Sequence, residues 1–92
     1  MERANAYAAL ARELEQWRLR PTAELASRVG APPVVRHTEV AGEPVSIEVS
    51  VAWADASKDK FRIEAVANGP SHWTTERLVE RITAVAHSPT AA

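Results

Sequence analysis

The sequence predicts an α+β fold: an N-terminal helix and a short second helix packed on a three-stranded antiparallel meander, with a short C-terminal helix. Three observations predict it. Tyr7, Leu10, Leu14 and Trp17 recur at spacings of three and four within residues 2–19, the period of a helix with one apolar stripe. Residues 45–53, VSIEVSVAW, and 60–67, KFRIEAVA, alternate apolar with polar or small side chains, the period of half-buried strands. Near the C-terminal end, Leu78 with Ile82 and Val79 with Thr83 stand about one helical turn apart.

Each element carries its own start and stop. In the first helix Ala and Glu dominate, and both favour helix. Ala11 joins the apolar stripe; Glu2, Arg3, Arg12, Glu13, Glu15 and Gln16 fall mostly away from it. Pro21 ends this helix, because it lacks an N–H and disfavours helical geometry at Arg20. Pro21 also suits the first turn of the second helix, TAELASRV, which places Leu25 and Val29 on a buried side and stops at Gly30. Ala31-Pro32-Pro33 forces an extended connection. Residues 34–41, VVRHTEVA, alternate loosely, as an edge strand does, with Val34, Arg36, Thr38 and Val40 on one side. Ala41-Gly42-Glu43-Pro44 reads as a turn, 55–59 as a polar hairpin loop and Asn68-Gly69-Pro70 as a breaker. Thr74 or Thr75 would cap the C-terminal helix, with Glu76 in its first turn. The division is a single α+β domain over 1–86 and a disordered tail over 87–92. The expected core is Tyr7, Leu10, Leu14, Trp17, Leu25, Val29, Ile47, Val49, Val51, Phe61, Ile63, Leu78 and Ile82.

Ninety-two residues suffice for one modest core and leave little room for a deep cleft. The net charge of −1 supplies no bulk field for nucleic acid or an acidic membrane. With no cysteine there is no disulfide framework and no thiolate metal site. No apolar run approaches a membrane span, and MERANAYAALARELEQW lacks the apolar centre of a signal peptide, so the expected location is the cytoplasm.

The motifs that carry chemistry are thin. His37, His72 and His87 show neither HxH nor i, i+4 spacing; only His37 and Glu39 would share a strand face. Ser46, Ser50, Ser57 and Ser71 include no GxSxG elbow, and there is no glycine-rich phosphate loop. Arg12, Arg18, Arg20 and Arg28 gather near the first two helices, but Glu13, Glu15 and Glu24 interleave with them, which disfavours nucleic acid. If the helices cover the odd-numbered sheet face, the other face carries Ser46, Glu48, Ser50, Lys60, Arg62 and Glu64, with Glu48 and Arg62 as prospective cross-strand neighbours. Trp17 and Trp53 close the ends of apolar stripes; Trp73 has the weakest apolar surroundings and is the best candidate for an exposed anchor.

The strings ELEQWRLRPTAEL (13–25) and IEVSVAW (47–53), followed by FRIEAVANGPSHW, resemble a family of small bacterial proteins of unknown function with the pattern ELxxWRxRPxxEL…IEVxVxW. Trp17, Pro21, Glu24, Leu25, Val29, Gly30, Trp53, Arg62 and Trp73 match it, and this chain departs from it after Trp53-Ala54-Asp55. The resemblance implies a fold and brings no catalytic residue. The expectation is therefore a non-catalytic interaction module, an antidote, adaptor or accessory subunit, with no cofactor. It would bind another protein or itself through Glu48, Ser50, Arg62, Glu64 and Trp73 or through an edge strand. The alternative is a small-molecule-binding or minor enzymatic homodimer with a cleft between subunits.

Overall fold

The computed structural model describes residues 3–70 and 75–85. Helix α1 spans Arg3–Arg18 and α2 spans Thr22–Arg28; strands β1 (Val34–Val40), β2 (Glu43–Trp53), β3 (Lys60–Pro70) and β4 (Thr75–Val85) follow. They form one antiparallel sheet in the order β1-β2-β3-β4. Both helices lie on one face, α1 mainly over β3 and β4 and α2 over β2. No helix among the described residues is long and apolar enough to cross a membrane.

The α+β class holds, but the sheet has four strands, and the expected C-terminal helix is strand β4. The reason lies in the spacing. Residues four apart share a face in a helix and in a strand alike, so Leu78 and Ile82 do not discriminate between them. Tertiary context decides. A helix here would leave the far edge of β3 unpaired; as a strand, the segment makes a register running from Lys60↔Val85 to Pro70↔Thr75. Thr75, Val79, Ile82, Thr83 and Val85 are β-branched and suit that geometry. The alternation looks poor in the sequence because Glu80 takes an inner-face position opposite Ala65, yet is exposed on the edge strand.

The same pairing corrects the breaker at 68–70. Asn68, Gly69 and Pro70 belong to β3. Beyond the Ser46↔Asn68 pair β2 no longer flanks β3, so the missing N–H of Pro70 breaks no ladder bond on that side. Likewise Pro44 lies inside β2, where the strand has only β1 as neighbour. The β1–β2 turn contracts to Ala41 and Gly42, both at positive φ (52° and 82°), the geometry of a two-residue hairpin turn of the I′ kind. Gly30 takes positive φ as expected, but Val29 before it is extended and makes a parallel bridge to Val51, continuing the β2 edge where β1 ends. His72, Trp73, Thr74, His87 and the expected tail 87–92 lie outside the described residues.

The core sits between α1, α2 and the inner sheet face. Trp17, Phe61, Leu10, Leu14, Leu25, Ile47 and Ile63 are its largest buried side chains, and Val29 and Ile82 pack on it only partly. Each large apolar residue removed from water contributes roughly 1.5–3 kcal/mol. The buried stripe of α1 runs Ala6, Ala9, Leu10, Glu13, Leu14, Trp17. Ala6 and Ala9 let the helix approach the sheet closely. Tyr7 lies at the flank of that stripe and is 39% exposed, which removes it from the expected core.

Glu13, expected on the solvated side, is the one buried charged side chain among the described residues, at 8% exposure. Arg36 Nη2 donates to its Oε2 at 2.6 Å, and Trp17 Nε1 donates to its Oε1 at 3.4 Å. Arg36 takes a helix-side position on the edge strand β1 and stays largely exposed, so it is the Glu13 carboxylate that would be buried unpaired without this contact.

Ala41→Asn should raise stability by about 0.5–1 kcal/mol in denaturant unfolding, since Asn tolerates the left-handed region better than Ala. A Cβ at Gly42 meets nothing within 4 Å, so Gly42→Ala should cost about 1 kcal/mol from backbone strain alone. In a double-mutant cycle, Glu13→Gln and Arg36→Gln should couple by about 0.5–1.5 kcal/mol; additive effects would show that the buried pair contributes nothing specific.

Candidate interaction surface

The antiparallel register fixes what the open sheet face presents. Reading across the strands, one row is Val35, Glu48, Val66 and Val79. A second is His37, Ser46, Asn68 and Arg77; a third is Ser50, Glu64 and Arg81; a fourth is Ala52, Arg62 and Thr83. Ser46, Glu48, Ser50, Lys60, Arg62 and Glu64 thus share this face. Glu48 and Arg62 are not neighbours: Glu48 stands opposite Val66 and Arg62 opposite Ala52. Four residues of β3 separate the two levels, about 13 Å along the strand. Register cannot be read from either strand alone, because a shift of two residues preserves every inward side chain.

The real ion pair on this face is Glu64 with Arg81, whose Nε donates to Oε2 at 2.6 Å. Sequence reasoning missed it because it placed residue 81 on a helix. Among the described residues, no ion pair involves Glu48, Arg62 or Arg77. The face is not purely polar. Val66 is 5% exposed, although it lies on the side away from both helices, while Val35 is 50% exposed. Charge is divided across the sheet: Glu39 and Glu48 stand on β1 and β2, and Lys60, Arg62, Arg77 and Arg81 stand on β3 and β4 with Glu64.

The tryptophans do not build a second surface among the described residues. Trp17 is buried at 2% exposure, with the Arg20 guanidinium 3.8 Å above its ring centroid. Trp53 is half-buried and stacks on its cross-strand partner Phe61, ring centroids 4.4 Å apart. Two of the arginines near the helices are matched locally: Arg18 pairs with Glu15, and Arg20 Nη1 lies 2.5 Å from Glu24 Oε1. The hydrogen bond from Arg18 holds the Glu15 carboxyl below its ordinary pKa and raises that of Arg18 in return.

A cavity of about 210 Å³ opens beside these arginines, lined by Arg18, Arg20, Thr22, Leu25, Thr83, Ala84 and Val85. That is below the roughly 300–1,000 Å³ of most small-molecule sites. Among the described residues, no group of three His, Asp or Glu side chains is placed to hold a metal ion. Comparison of the chain with protein-family models, with curated proteins and with solved structures finds no match in any of the three. What it does is therefore read from its own residues.

At the β2–β3 loop, Ser57 Oγ lies 2.6 Å from Asp55 Oδ1 and 2.9 Å from Asp59 Oδ1, and the Ser57 amide donates to Asp55 Oδ1 at 3.2 Å. The Ser57 hydroxyl, with help from the Ser57 and Lys58 amides, holds the Asp55 carboxyl below its ordinary pKa. A depressed folded-state pKa stabilises the fold above the unfolded-state value and loses that contribution as pH falls through the folded value. NMR titration of Ser57→Ala should show the Asp55 pKa moving up towards the ordinary value of about 3.9 and the acid-side loss of stability shrinking.

Proposed function

We propose that this protein is a non-catalytic protein–protein interaction module of the cytoplasm, an antidote, adaptor or accessory subunit, and that it binds through the open sheet face. The observation that carries the reading is a helix-free face on which Val35, Val66 and Val79 share a row with Glu48, and on which Glu48, Arg62 and Arg77 find no ion-pair partner among the described residues. Glu48 is half-buried in that row. A partner supplying an opposite charge would gain a shielded ion pair, and Val35 and Val79 would gain burial. Ser50 and Glu64 border the row on the β2 and β3 strands. The edge strands β1 and β4 offer a further route, by strand addition.

The second reading is a small-molecule-binding or minor enzymatic homodimer with a cleft between subunits; the cavity beside Arg18 and Arg20, small within one chain, would be one wall of that cleft. A ligand held there would need to compete with Glu15 and Glu24 for the guanidinium groups. Loss of ligand binding on Arg20→Ala, with no effect of Glu48→Lys, is the pattern that reading requires.

The test is affinity capture of the tagged chain from its own cells, with Glu48→Lys/Arg62→Glu as the matched control, checked for folding by circular dichroism. The expected outcome is a partner enriched by at least about tenfold with the wild type and lost with the control, since reversal of a shielded charge costs several kcal/mol. A folded control that retains every partner would remove the open face from the proposal.

A further inference from the structure

We infer that the occupant of the open sheet face is a second copy of this chain, packed face to face about a two-fold axis that runs parallel to the strands. The inference rests on the open face being the binding surface, as proposed above, and names what binds there.

Charge complementarity between the two halves of the face selects the axis. In a face-to-face dimer the two-fold axis lies in the interface, and its direction decides which strands meet. An axis across the strands would lay β2 over β2 and β4 over β4 of the partner. With that axis at the valine row, Glu48 would approach the partner's Glu48 and Arg77 would face the partner's Arg81. An axis along the strands lays the β1–β2 half of one copy over the β3–β4 half of the other. The acidic half, with Glu39 and Glu48, then meets the basic half, with Lys60, Arg62, Arg77 and Arg81. This happens twice by symmetry. The level of each row is preserved, so Val35 of each copy meets the partner's Val79 and the exposed valine at the β1 edge becomes covered, while Glu48 lies over the partner's Val66 and reaches its nearest opposite charge, the partner's Arg77, one strand and one row away; Glu39 stands one row from that same Arg77.

Growth of the sheet at its β4 edge is opposed by the same charges. An antiparallel β4–β4 pairing with both helix layers on one side, centred on Val79, sets Arg77 opposite Arg81; centred on Glu80, it sets Glu80 opposite itself. The face is large enough for a modest dimer. Four strands at about 4.8 Å spacing and some eleven residues at about 3.3 Å outline roughly 650 Å² per copy, against about 800 Å² in a standard interface. Area does not set affinity, and this face carries valines in place of large aromatic anchors, so the self-affinity expected is weak, on the order of tens of micromolar.

The experiment is sedimentation equilibrium of the full chain at low salt, from about 5 to 500 μM, spanning that expected affinity. The wild type should rise from one chain's 10.0 kDa towards twice that mass. Glu39→Lys/Glu48→Lys makes both halves of the face net basic, and Arg62→Glu/Arg77→Glu makes both net acidic. Each variant should remain at the single-chain mass, and their equimolar mixture should regain the dimer. Val35→Lys, at an exposed position that the fold does not need, should weaken the dimer at least about tenfold with an unchanged unfolding transition. A wild type that stays at the single-chain mass throughout overturns the self-pairing. So does a dimer indifferent to all the reversals, or a mixture that does not re-form it. A monomeric wild type whose captured partner is still lost with Glu48→Lys/Arg62→Glu leaves the interaction module standing with a different occupant.

Discussion

The whole structure depends on one constraint: the chain has enough large apolar side chains to cover one face of its sheet. Trp17, Phe61, Leu10, Leu14, Leu25, Ile47 and Ile63 all converge on the inner face. The sheet therefore has to be one-sided, and α1 has to lie flat against it. A helix 16 residues long buries one stripe, and that stripe meets the wide part of the sheet over β3 and β4. Without β4 as a strand, much of the stripe would have no surface to pack on. The position of α1 and the identity of β4 are thus two results of one requirement.

The seam between helix and sheet edge is polar, and this too follows from shortage. Arg36 takes an inward position on β1, where a larger chain would place a valine or leucine. Glu13 meets it, and Trp17 donates to the same carboxylate. Arg36 is itself 53% exposed, so the pair is desolvated on the carboxylate side and hydrated on the other. The apolar stripe orients α1, and the pair satisfies the one carboxylate that this orientation buries. Arg20, stacked on Trp17 and paired with Glu24, ties the end of α1 to α2.

The outer face is organised by what the inner face leaves over. Its charges are divided by strand, acidic on β1 and β2 and basic on β3 and β4, with Glu64 and Arg81 paired internally. A docking face benefits from separated signs, which select an orientation, and from a row of valines, which supplies area.

The sequence by itself determined the inner face. Period-two alternation in β2 and β3 named Ile47, Val49, Val51, Phe61 and Ile63, and the stripe of α1 named Leu10, Leu14 and Trp17, because periodicity is a local property of the chain. It also placed Glu48, Ser50, Arg62 and Glu64 on the opposite face. Tertiary structure alone decided three things. It made 75–85 a strand, since Leu78 and Ile82 fit either period and only the unpaired edge of β3 separates them. It set the register, which parted Glu48 from Arg62 and joined Glu64 to Arg81. It buried Glu13, because Arg36 is distant in sequence and comes near only once the sheet stands beneath the helix. Each of these is a pairing between distant segments, and a pairing has no signature in either segment taken alone.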